Sequence, residues 1–307
     1  MAIRHVLPAL LDPTDEVIID AGADPAMFET VRHAEARLHR SPPGSLDAVE
    51  RRLQRLARQP RTGRLFVMLP AIARLTSVAA DLADFCTLCA AHGAILVVDA
   101  SQDLGMIGQA GQGLAEVQGC LAGIDVILGD MAGTFAVPGG FAAFRDPALA
   151  DRVRAHPLRA LPLAPAFAAM TLAALALVAS PEGARRRRLL HGNALRLRNH
   201  LMADGLCVLG HPSPVVPVLL PPRKAEAHSA LLRSAGVTVP LLQAPMVAGH
   251  APRWHVRLNA GHRPADIDDL ADLMRDVIRA VGRPAKAPLR SDAPVQPGGT
   301  DLTDAVT

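Results

Sequence analysis

The feature that most constrains this chain is the alternation, through its first half, of short apolar runs with longer amphipathic stretches. Runs at 17–19, 65–69, 94–98, 125–128 and 140–144 are separated by segments with apolar residues at helical spacing. Strands that are apolar throughout belong in a sheet covered on both faces, and strands joined through helices pair in parallel. Helices are expected over 26–38, over 46–57 with Leu46, Val49, Leu53 and Leu56 on one face, and over 78–92, closed by Gly93. Long helices are expected over 164–179 and 185–203. The pattern then changes to strand 215–220, helix 225–234, strand 236–241, strand 254–258, and an amphipathic helix 266–281 carrying Ile267, Leu270, Leu273, Met274 and Ile278 on one face. The expected class is α/β, a mostly parallel large domain followed by a small α+β domain. The boundaries expected are a large domain over 1–160, connecting helices over 161–204, a small domain over 205–282, and a disordered tail over 283–307, where Pro, Ala, Asp and Gly replace any apolar period.

Charge and cysteine usage exclude several classes. A net charge of +3 gives no case for nucleic acid, and the Arg185–Arg188 run reads as a solvated helix end. Residues 161–180 carry no charge and are long enough to cross a bilayer, but they are Ala-rich with Pro162 and Pro165 near the start. A buried or interface helix is expected there, not a span. Cys86 and Cys89 form a C-x-x-C inside a helical pattern, with no second pair at zinc spacing, so two buried helix thiols are expected and no metal site. No secretory or transit pattern opens the chain, which points to the reducing cytoplasm. Only Lys224 and Lys286 supply side-chain amines, out of 32 Lys and Arg residues. Nucleophile-elbow, Walker and zinc-protease motifs are absent.

Three segments carry a family pattern. The run AILVVDASQDLGMIGQAGQG over 94–113, preceded by the helix from Leu82, is similar to a helix, strand, V-D-D-A-H, G-x-x-G and G-R-G series. The run DVILGDMAGTFAVPGGFAAF over 125–144 is similar to a strand and lysine loop of the form T-x-S-K followed by Gly-Gly. Within 213–268 stand SPVVPVLL, VRLNAGH and ADID in a matching order. Over residues 7–281 these resemble the α-oxoamine synthases: serine palmitoyltransferase, 8-amino-7-oxononanoate synthase, glycine C-acetyltransferase and 5-aminolevulinate synthase. That family lies in the class I/II aminotransferase superfamily, with the pyridoxal phosphate fold type I.

The resemblance implies a site that is partly eroded. Asp99 matches the carboxylate that meets the pyridine nitrogen, with a loop-capping role as the alternative. Gln102 stands where the family has histidine, and Asp24 where a histidine stacks on the ring, although a helix-start Asp before Pro25 reads as well. Gly133 occupies the place of the Schiff-base lysine, and neither Lys224 nor Lys286 falls where it could replace it. Asp130 occupies the place of a phosphate-binding threonine. Arg257 matches a small-domain arginine, Gln243 lies nearest the position of a carboxylate-binding arginine, and His262 reads as structural. The family also has a segment before the position of residue 1 that cradles the cofactor phosphate, so the chain is expected to begin inside or just after that helix.

A non-catalytic subunit follows from this pattern: a homo- or heterodimer with a lysine-bearing paralogue, with pyridoxal phosphate bound doubtfully and not covalently. The alternative is a working pyridoxal-phosphate-dependent C-acyltransferase or aminotransferase. A third possibility is a decaying product or a binding module without cofactor.

Overall fold

The computed structural model describes residues 2–60, 62–157 and 163–281. The expected tail over 283–307, with Lys286, lies outside them. The described residues divide into two compact units, one running to Arg74 and then over Ala79–Ala184, the other formed by Leu75–Val78 and the described residues from Arg185 to Val281.

The first unit begins with α1 (Ala2–Leu10), then β1 (Glu16–Asp20), α2 (Pro25–His33), β2 (Arg37–Ser41), α3 (Leu46–Ala57), β3 (Leu65–Pro70), α4 (Leu82–His92) and β4 (Ala94–Asp99). A short α5 (Leu114–Val117) and a 3-10 turn at Leu121–Gly123 lead to β5 (Val126–Asp130), β6 (Gly140–Phe144), α6 (Pro147–Ala155) and α7 (Pro165–Ala179). The sheet order is β2-β1-β3-β4-β5-β6, with β1 to β5 mutually parallel and β6 antiparallel to β5. Strands β1 and β3 are buried at every residue, as a sheet covered on both faces demands. One core forms where Val6, Leu7 and Leu10 of α1 and Met27, Phe28 and Val31 of α2 pack on Val17, Ile19, Phe66, Met68, Val97, Val126 and Leu128 of the sheet.

Residues 34–41 correct the expected helix over 26–38. Helix α2 stops at His33, Glu35 takes a left-handed φ of 57°, and the chain turns into β2. This strand lies at the sheet edge, where a polar run such as Arg37-Leu38-His39-Arg40-Ser41 is tolerated because one side faces solvent. Helix α4 also starts later than expected, because Ala79 first bridges to Ile72.

In the second unit, α8 (Pro181–Ala203) leads to β7 (Val215–Leu219), α9 (Ala225–Ser234), β8 (Leu241–Leu242), β9 (Arg253–Arg257) and α10 (Pro264–Val281). The sheet is antiparallel in the order β7-β9-β8, and the strand expected over 236–241 shrinks to the two residues of β8. Trp254 is fully buried and donates its indole N–H to Ser229 Oγ at 2.8 Å.

Three further expectations change. The Arg185–Arg188 run sits inside α8, and Arg187 is buried within it. Cys89 is buried but Cys86 is only half-buried. Within the uncharged stretch, α7 has only Thr171 buried, so of the two expected readings, a buried or an interface helix, the buried one is corrected. No single helix among the described residues is long and apolar enough to cross a membrane, and α7 with α8 passes that test only as a pair bent by 73°.

Candidate functional site

Asp20, Asp99 and Asp130 are the last residues of β1, β4 and β5, so the parallel sheet brings three carboxylates to one edge. That edge is where open α/β sheets hold ligands. Ser101 organises it. Its hydroxyl donates to Asp99 Oδ1 at 2.5 Å and accepts the Asp130 backbone N–H at 3.0 Å. The Ser101 backbone N–H also donates to Asp99 Oδ1, at 3.0 Å. Asp99 therefore does cap its own loop, but it is also buried in an acidic setting. Burial pushes its carboxyl above the usual range, and the charges of Asp24 and Asp130 push it the same way.

Asp24 caps α2, accepting the Ala26 N–H at 2.9 Å ahead of Pro25. Asp130 Oδ1 accepts the Ala132 N–H at 2.5 Å and starts the loop to β6. In that loop Thr134 donates to Leu104 O at 2.8 Å and Ala136 adopts φ 53°. Gly133 is exposed, and a Cβ added there would meet only Ser101 O, at 3.9 Å. Its φ lies outside the left-handed region, so the position accepts a side chain. Gln102, half-buried beside Ser101, leaves Oε1 without a hydrogen-bond partner among the described residues.

Two acids missed in the sequence belong with this group. Asp20 accepts from the Gly22 and Gly44 N–H groups, both at 2.6 Å, and burial pushes its carboxyl up to about 6. Asp103 is 1% exposed and accepts the Leu114 N–H at 2.7 Å, while its Oδ1 has no hydrogen-bond partner among the described residues. Burial, with a smaller push from Asp99, raises it to about 7. Position at the C-terminal end of an apolar strand was a usable signal for Asp20; nothing local marked Asp103.

The other expected residues lie in the second unit. Arg257 is exposed at the end of β9. His262 lies in a turn, its ring nitrogens 3.3 Å from the backbone N and from Nδ2 of Asn259, and its carbonyl accepts Asn193 Nδ2 at 2.8 Å. Gln243 donates to Glu226 at 2.7 Å. The Lys224 amine donates to Val281 O at 2.8 Å, at the end of α10. No group of three His, Cys, Asp or Glu side chains among the described residues could hold a metal ion.

A family model described as aminotransferase class I and II matches residues 1–273. The chain belongs to this family. It is 27% identical over 281 residues to the 8-amino-7-oxononanoate synthase of Citrifermentans bemidjiense, covering 90% of this chain and 71% of that one. To the enzyme of the same name from Acidithiobacillus ferrooxidans it is 30% identical over 285 residues, covering 91% and 70%. Among solved structures, a lysine-to-alanine variant of serine palmitoyltransferase from S. paucimobilis, with a bound pyridoxal phosphate–myriocin aldimine, superposes with a TM-score of 0.84 at 22% identity, over 91% of this chain and 70% of that one. The 8-amino-7-oxononanoate synthase of Francisella tularensis gives 0.74 at 16% identity, over 91% and 80%. The fold is that of the type I pyridoxal-phosphate-dependent transferases, and the relatives are of the α-oxoamine synthase kind.

The acids of this site make a pH prediction. Asp103 is raised in the folded chain from about 3.8 to about 7. The folded state therefore holds its proton where the unfolded state has lost it, and the stability associated with it is complete below pH ~4 and lost as pH rises through ~7. The loss is on the order of 4 kcal/mol for a shift of about three units. Urea unfolding of Asp103→Asn across pH 4 to 8 should show a smaller decline with pH than the parent chain; equal declines would contradict the assignment.

Proposed function

We propose that this chain is a degenerate α-oxoamine synthase-like protein, a cytoplasmic non-catalytic subunit or scaffold for an active, lysine-bearing, pyridoxal-phosphate-dependent acyltransferase. The observation that carries the proposal is Gly133, a residue without a side chain, beside the Asp99–Ser101–Asp130 cluster in a chain with only two lysines.

Pyridoxal phosphate asks three things of a protein: an amine for its aldehyde, an acid for its ring nitrogen and donors for its phosphate. Asp99 fits the second, because a buried carboxylate is stabilised by a cationic ring nitrogen. The rest of the cluster does not fit the group. Gly133 offers no amine, and the Lys224 amine is engaged at the end of α10. Asp130 sets an acid where a phosphate-binding hydroxyl is expected, and Asp24 provides no aromatic face. Two like charges at close range in a partly dry site repel. No catalytic step is therefore assigned to these residues.

Partnership is supported by α7. It is uncharged and, apart from Thr171, not buried, with Leu172 69%, Met170 48% and Leu175 44% exposed. A helix apolar all round normally lies buried, and contiguous exposed patches of this kind mark interaction surfaces. Thr171 Oγ1 meets the Met131 sulfur at 3.9 Å, so a partner covering α7 would also back the loop that carries Asp130 and Gly133.

Two observations favour the alternative of a working enzyme that condenses an acyl-CoA with an amino acid. Curated relatives along nine-tenths of the chain carry the name 8-amino-7-oxononanoate synthase, and a lysine-to-alanine variant of a structural neighbour holds a pyridoxal phosphate–myriocin aldimine.

Two experiments follow. Gly133→Lys should gain imine absorbance on addition of pyridoxal phosphate, since the position has room and ordinary backbone, and Asp130→Thr added to it should tighten binding by roughly tenfold, the effect of removing one like-charge contact worth about 1.4 kcal/mol. A Gly133→Lys chain that folds and binds without an imine band would remove the basis for Gly133 as the missing amine position. Separately, affinity capture from the native host should recover a lysine-bearing paralogue, and Leu172→Glu should abolish that capture without lowering the melting temperature. A chain that is monomeric and captures nothing at tens of micromolar, where interfaces of ~800 Å² per partner are normally formed, would contradict the scaffold role.

A further inference from the structure

The C-x-x-C of α4 is not absorbed by the proposed function, and its two thiols differ. Cys89 is 2% exposed, and burial pushes its thiol up to about 12. Cys86, one turn away, is half-buried and turns instead toward Cys120, which is also half-buried and precedes the 3-10 turn. The Cys86 thiol donates to Cys120 O at 3.8 Å, and the Cys120 thiol donates to Ala115 O at 3.8 Å. A Cβ added at Gly123 would lie 2.9 Å from Cys86 Sγ, so the sulfur is pressed against this turn.

The two segments are already held in register. Gln118 receives the Ala83 N–H on its side-chain oxygen at 3.2 Å and donates its amide to Ala80 O at 2.9 Å. Cys86 lies one helical turn beyond Ala83, and Cys120 two residues beyond Gln118, so the two cysteines meet along the same seam, with Cys86 Sγ against the Cys120 carbonyl. Cys120 is fixed in turn by its own N–H to Ala115 O at 3.0 Å and its carbonyl to the Gly123 N–H at 2.8 Å. A bridge between two segments held this way needs little backbone movement, which is the usual obstacle to disulfide closure.

We propose that Cys86 and Cys120 form a peroxide-reactive thiol pair, with Cys86 the attacking sulfur and Cys120 the resolving one. The Cys86 thiolate attacks a peroxide oxygen, breaking the O–O bond, and becomes a sulfenic acid while hydroxide leaves. The Cys120 sulfur then attacks the Cys86 sulfur, its proton and the sulfenic hydroxyl leave as water, and a disulfide remains. Each thiol gives up one electron, and the peroxide takes both. The division of labour agrees with the electrostatics. The contact with Cys120 and then the Arg145 guanidinium lower the Cys86 thiol against burial and the Asp125 charge, whereas the same contact and burial raise Cys120. The closed loop spans β4 and so encloses Asp99, Ser101 and Gln102.

Exposure alone predicts a different target, because Cys207 is the exposed cysteine. The two are separated by treating the reduced full-length chain with one equivalent of hydrogen peroxide and mapping peptides without reductant. The expected product is a Cys86–Cys120 linked peptide, two hydrogens lighter than its parts, with Cys207 still open to alkylation and a melting temperature higher by roughly 5 °C. Cys120→Ser should stop at a sulfenic acid on Cys86 that dimedone captures, Cys86→Ser should form no bridge, and Cys207→Ser should behave as the parent chain. A Cys86–Cys89 bridge, sulfenic acid confined to Cys207, or thiols that all survive the peroxide would each overturn the proposal.

Discussion

The Ser101 hydroxyl is the joint on which the candidate site depends. It donates to Asp99 and accepts from the backbone of Asp130, tying together the ends of two neighbouring parallel strands. Because those strand ends are fixed by the ladder, the carboxylates of Asp99 and Asp130 stay on the same edge as Asp24 at the start of α2. The sheet thus concentrates negative charge at the place where such folds take ligands, and burial raises the cost of keeping that charge.

That arrangement suits a cation and opposes a phosphate. A buried Asp99 gains from a protonated ring nitrogen, but the neighbours that surround it act in the opposite sense on the rest of the cofactor. Gly133 stands over Ser101 with space for a side chain that is not there. On the proposed reading, a glycine at 133 and the Asp130 acid act in the same sense, since both would weaken hold on the same small molecule while leaving the fold intact. In the proposed scaffold role, the exposed apolar face of α7 would serve a partner, because such binding asks for surface and not for chemistry.

Much of the sheet was legible in the sequence because its central strands are unbroken apolar runs: 17–19, 65–69 and 94–98 fall inside β1, β3 and β4. Edge elements were not. Strand β2 is a polar run that only its pairing with β1 makes extended, and the nine residues of α1 carry too short a period to announce a helix whose stability comes from packing on α2. In the site, Asp99 was visible because it ends an apolar strand within a family-like run, and Asp130 and Asp24 only through the resemblance to the α-oxoamine synthases. Asp103 was not, since its character comes from burial under Leu114, and Cys120 was not paired with Cys86 because the contact joins residues 34 positions apart. The exposure of α7 was also hidden, as an uncharged run looks the same whether its cover comes from its own chain or from another.

The most direct measurement is an intact mass of the native polypeptide after incubation with pyridoxal phosphate and reduction with borohydride. The absence of an amine at Gly133 predicts a chain of unmodified mass. A species heavier by one pyridoxyl phosphate group, mapped to any residue of the candidate site, would contradict the account.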